Sequence, residues 1–138
     1  MRMGLDTSVV LRLLTGEPEV QAHAALQWVI KAKACGIRLV LSDLVASEVY
    51  FALQHHFNVS KAEALRHLSM LLATGDIEAD GGVASVLSTP GLATAKPGFV
   101  DRLIHEQYLR SRDTGMATFE RAARTLPRVE LLGGGSPS

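Results

Sequence analysis

The chain reads as an α/β protein: a mostly parallel sheet of four to five strands with helices on both faces. Three observations predict this. Short apolar runs alternate with longer stretches whose apolar residues recur every three or four positions. Glycines and capping residues punctuate the joins. Acidic residues stand just after several of the apolar runs, where an open parallel sheet gathers its ligands.

The first strand is expected at residues 2–5, followed by a short helix at 8–14 that Gly16 ends. Glu17-Pro18-Glu19 opens the next helix, since proline is tolerated in a first turn and acids suit the positive helix end. Val20, Ala24, Ala25, Trp28 and Val29 form its expected inner face, and Gly36 closes it. Ile37-Arg38-Leu39-Val40-Leu41 is a compact apolar run and reads as the second strand.

Ser42-Asp43 supplies the cap of a helix over 44–55. Ser60-Lys61-Ala62-Glu63 has the capping-box spacing and starts another, carried by Leu65, Leu68 and Leu72 to Gly75. A third strand is expected at 76–79. Residues 81–97 hold a short helix at 83–87 and a loop rich in proline and glycine. A helix follows over 99–112, with Val100, Leu103, Ile104 and Tyr108 on one side. A strand at 116–119, one or two helical turns at 120–125 and a last strand at 129–132 complete the pattern.

Residues 1–132 are expected to form one domain, with 133–138, Gly-Gly-Gly-Ser-Pro-Ser, as a flexible tail. The chain is 47% hydrophobic and 20% charged, the composition of an ordinary globular protein. Its 14 basic and 14 acidic residues balance, so no general polyanion-binding surface is evident, though local basic patches remain compatible with RNA. Cys35 is the single cysteine, which excludes an internal disulfide and a cysteine-based zinc site. No apolar run approaches the ~20 residues of a membrane helix, and residues 1–5 do not read as a signal peptide. The expected setting is cytoplasmic, without membrane partners.

Right-handed crossovers bring the carboxyl ends of parallel strands to one edge. Asp6 ends the first strand, and Glu48 lies early in the helix after the second. Asp101 begins the helix near residue 100, and Glu120 follows the strand at 116–119. Crowded carboxylates repel, and a hard divalent cation, Mg²⁺ or Mn²⁺, resolves the conflict. Such a cation polarises a phosphodiester and activates water.

Five segments carry a family resemblance. Leu5-Asp6-Thr7-Ser8-Val9-Val10-Leu11-Arg12-Leu13-Leu14 resembles the opening of PIN-domain ribonucleases, especially the VapC-like toxins of toxin–antitoxin pairs. Leu41-Ser42-Asp43-Leu44-Val45-Ala46-Ser47-Glu48-Val49 resembles their second acidic motif, and Phe99-Val100-Asp101-Arg102-Leu103-Ile104 their third. Thr118-Phe119-Glu120-Arg121 and Leu126-Pro127-Arg128-Val129-Glu130-Leu131-Leu132 resemble their ending. The resemblance implies a three-layer α/β/α sandwich and a metal-dependent endoribonuclease that hydrolyses RNA. It implies Asp6, Glu48, Asp101 and Glu120 as catalytic, metal-binding acids, with Ser8 and Thr118 in support. It also implies a homodimer and an antitoxin partner. Two residues depart from the pattern: Ser8 replaces the usual Asn, and Glu120 the usual Asp.

Each residue has an ordinary alternative. Asp6 could instead cap the first helix, and Asp101 complement a helix dipole, though the ordered set favours the metal role for both. For Glu120, ligation and a structural role weigh evenly. Asp43 reads as a cap, His55-His56 as a helix end, and His105 as a surface residue one turn beyond Asp101. No aromatic interleaving marks a nucleic-acid surface. A competing function is a PIN-like binding or assembly module with weak or lost chemistry. A haloacid-dehalogenase phosphatase would require Asp where Ser8 stands, and a receiver domain a further acidic pair near the start.

Overall fold

The computed structural model describes residues 1–133, so most of the expected tail lies outside the described residues. The chain forms two compact units, Met1–Ala84 and Ser85 onward. The α/β class with parallel strands holds.

In the first unit, strands β1 (Arg2–Gly4), β2 (Arg38–Ser42) and β3 (Ile77–Asp80) pair in that order, all parallel. Met3 stands opposite Leu39, and Leu39 opposite Ile77. The central β2 is apolar on both faces, with Leu39, Val40 and Leu41 buried, as a covered parallel strand must be. At the sheet's other register, Arg38 donates from Nε and Nη2 to Glu78, both at 2.8 Å.

Helices α1 (Thr7–Thr15), α2 (Glu19–Ala34), α3 (Asp43–His56) and α4 (Lys61–Ala73) complete this unit. Gly16 ends α1 in the left-handed conformation, φ 72°, which glycine adopts without a Cβ penalty. The Ser42 hydroxyl caps α3 by accepting from the Val45 N–H, and Ser60 caps α4 by accepting from the Glu63 N–H. Asp43 has a different task from the cap the sequence suggests. Its carboxylate accepts from the Gly82 N–H at 3.0 and 3.2 Å, tying the start of α3 to the turn after β3. Val10, Val49, Leu53 and Leu68 are buried core residues of these helices.

The inner face of α2 differs from the expected stripe. Ala22, Ala25, Val29 and Ala32 are its more covered residues, while Val20, Ala24 and Trp28 are exposed. α2 packs on α1, and small side chains let two helices approach closely. With apolar residues on every side of α2, periodicity alone does not choose the face.

The second unit contains α5 (Val83–Leu87) in large part, α6 (Phe99–Leu109), and strands β4 (Met116–Thr118) and β5 (Val129–Leu131), joined by a 3-10 helix (Arg121–Thr125). β4 and β5 pair parallel as a separate two-stranded sheet, Met116 opposite Val129. The mostly parallel sheet stands, but among the described residues three strands form the main sheet and two a second one, in place of four to five in a single sheet. The strand segments were legible, but which strands pair is decided by contacts distant in sequence. β4 and β5 approach tightly: a Cβ on Gly115 would fall 2.6 Å from the Arg128 carbonyl oxygen.

α6 ends earlier than residue 112. The Arg128 guanidinium donates to the carbonyl of Leu109, which the helix end leaves open, and to those of Ser111 and Arg112 in the turn beyond it, at 2.8–2.9 Å. His105 is not a surface residue. It is 3% exposed, with Nε2 2.7 Å from the Pro127 carbonyl oxygen. Among the described residues, no helix is long and apolar enough to cross a membrane.

Candidate active site

Asp6 and Glu48 come together in the first unit. β1 and β2 are parallel neighbours, so the helices that follow them begin at the same sheet edge. Asp6 leaves β1 in an extended conformation (φ −80°, ψ 159°) and stands at the N-cap of α1. Its Oδ1 accepts from the Thr7 N–H at 2.7 Å. The Thr7 hydroxyl in turn donates to Glu48 Oε1 at 2.8 Å, across 41 positions of sequence. Thr7 therefore touches both carboxylates. Ser8 Oγ is 3.4 Å from Asp6 Oδ2, a long contact on the other oxygen. The capping alternative for Asp6 is thus realised, and it occupies only one carboxylate oxygen.

Asp101 and Glu120 come together in the second unit. Asp101 lies in the first turn of α6, where its charge favours the helix dipole. Glu120 stands at the N-cap of the 3-10 helix, with Oε1 3.4 Å from the Ala122 nitrogen, a weak cap. The Thr118 hydroxyl oxygen accepts from the Glu120 N–H at 3.0 Å and fixes the backbone there. Asp101, Thr118 and Glu120 line one open cleft of about 220 Å³, whose other walls include Ile104, Tyr108 and Met116.

All four acids are exposed. Outside the site, Arg38 holds Glu78 below the ordinary carboxylate range through its hydrogen bonds, and Arg66 does the same for Glu63. Among the described residues, no three His, Cys, Asp or Glu gather to hold a metal ion. Each acid pair still fits Mg²⁺ or Mn²⁺ chemically. These cations take carboxylate oxygen, and Mg²⁺ is commonly held by one or two carboxylates, with waters and substrate phosphates completing its shell.

Two residues at these acids were missed in the sequence. Thr7 looked like a spare cap, and its link to Glu48 depends on strand pairing. Tyr108 was assigned to the side of a helix, although its position seven residues after Asp101 puts both on one helical face.

Acids follow the parallel strands of this α/β fold, where open parallel sheets bind their ligands. The chain belongs to the PIN domain family, whose model matches residues 3–104. PIN domains are typically nucleases, usually bind divalent metals, and as nucleases act on RNA. The match includes Asp6, Glu48 and Asp101 and stops before Thr118 and Glu120. No curated protein and no solved structure matches the chain.

Proposed function

We propose that this chain is a Mg²⁺- or Mn²⁺-dependent endoribonuclease, the toxin of a toxin–antitoxin pair, with residues 1–132 acting as one catalytic domain in a cytoplasmic homodimer. The family resemblance assigns Asp6, Glu48 and Asp101 to cation binding and Glu120 to an assisting role, with Ser8 and Thr118 in support. The observation that carries the reading is the pairing of Asp6 and Glu48 through Thr7 at the carboxyl edge of a parallel sheet. When bound, the cation supplies Lewis-acid stabilisation of charge at the phosphodiester and a more acidic water. The chain's own part is to hold carboxylate oxygens at fixed positions and to present them, exposed, to a substrate as large as RNA.

Asp6→Asn separates this reading from simple capping. Asn caps helices about as well as Asp, so the substitution keeps the helix start and removes the charge. Purified, partner-free protein is expected to cleave RNA with Mn²⁺ or Mg²⁺, to stop on chelation, and to lose cleavage in Asp6→Asn at unchanged melting temperature. RNA cleavage by Asp6→Asn at the parental rate would overturn the reading.

A further inference from the structure

We infer that the cleft beside Asp101 and Glu120 is a nucleobase subsite in which Tyr108 stacks on an unpaired base of single-stranded RNA; this rests on the nuclease reading above. Asp101, Ile104 and Tyr108 recur at helical steps along one face of α6, and all three line the same cleft. At 1.5 Å per residue, Tyr108 lies about 10 Å along the helix from Asp101. One end of the cleft is therefore carboxylate and the other aromatic and aliphatic. Such an order matches a nucleotide: the phosphate side meets the acids and their cation, while the uncharged base reaches the ring.

Tyr108 and Ile104 are 45% and 44% exposed, open to a ligand. Among the described residues, Tyr108 stacks on no other aromatic ring. The cleft, about 220 Å³, has room for one planar heterocycle. Proteins that read single-stranded RNA commonly splay bases onto aromatic side chains, and the contribution per base is large enough to measure.

The test uses the Asp6→Asn protein, which blocks cleavage, and a fluorescent single-stranded RNA read by anisotropy with Mn²⁺ present. Added Tyr108→Ala is expected to weaken binding about tenfold, while Tyr108→Phe, which keeps the ring, binds as the parent does. Tyr108→Leu keeps apolar bulk and should behave like Tyr108→Ala, which guards against an unfolded alanine variant. Replacing the oligonucleotide by an abasic one should erase the difference between Phe and Ala. Equal binding by Phe, Leu and Ala overturns the subsite, as does an equal loss on abasic RNA. So does an altered oligomeric state in Tyr108→Ala with RNA affinity unchanged, which would assign the ring to a protein contact. Cleavage by the protein with native Asp6 is scored separately: if it persists while these variants bind alike, the nuclease reading stands and the stacking residue falls.

Discussion

Thr7 holds the nearest thing to a mechanical linkage between the two acids of the first unit. Its backbone N–H engages Asp6 and its hydroxyl engages Glu48. A donor held on a carboxylate oxygen fixes the rotamer in which that acid is presented to a cation. Removing such an orienting partner typically costs 10–100-fold in metal affinity or activity. Thr7→Val is accordingly expected to weaken Mn²⁺ binding, read by calorimetry, by about tenfold or more. Thr7→Ser retains the hydroxyl and should restore the affinity, which a merely structural role would not require. Parental Mn²⁺ affinity in Thr7→Val would show that Glu48 is held by other means. At this scale the sequence carried the acids and not the link: Asp6 and Glu48 were visible as strand-end residues, whereas Thr7 acquires its meaning only once β1 and β2 lie side by side.

Elements were more legible than contacts. Ser42 and Ser60 announced the starts of α3 and α4, and Gly16 the end of α1, because caps and left-handed turns are local chemistry. β2 was plain for a different reason: a strand covered on both faces must be apolar throughout. The face of α2 was not legible, since its covered side is largely alanine and its outer side carries larger apolar residues. The β2–β3 pair also carries a titratable link. Arg38 lowers the Glu78 pKa, so the folded state holds this carboxylate charged more readily than the unfolded chain does. The resulting stability is present at neutral pH and is lost as acid carries Glu78 through its lowered folded pKa. Glu78→Gln should therefore narrow its gap in melting temperature from the parent between pH 7 and pH 3, in scans across that range. A constant gap would mean that the ion pair contributes nothing, as many exposed pairs do.

At the scale of the molecule, alternation of strand and helix foretold an α/β fold, and the ordered acids foretold the family. Division of the strands into three and two was beyond reach, because β4 and β5 are three residues each and choose partners by non-local contact. The outer side of α2 bears on the proposed homodimer. Leu26 and Ile30, one turn apart, are 49% and 52% exposed, and apolar side chains left in water favour association. Light scattering with size exclusion should return a dimer for the parent and a monomer for the Leu26→Lys, Ile30→Lys double variant. A monomeric parent would remove self-association from the reading while leaving the nuclease untouched.

The grip of Arg128 on the last carbonyl of α6 and on the turn beyond it anchors that helix well past the boundary of the family match. The match stops at residue 104, in the middle of the helix that carries Asp101. Arg128, far downstream, seals the end of that helix, and Pro127 beside it receives His105 from the same helix. Backbone amides in the last turn of α6 and those around Arg128 are therefore expected to open together in hydrogen exchange, and separate exchange rates would show that the anchor is not shared. A chain shortened to the matched segment would cut α6 in half and release the anchor of its remaining turns, whatever residues a family alignment judged sufficient.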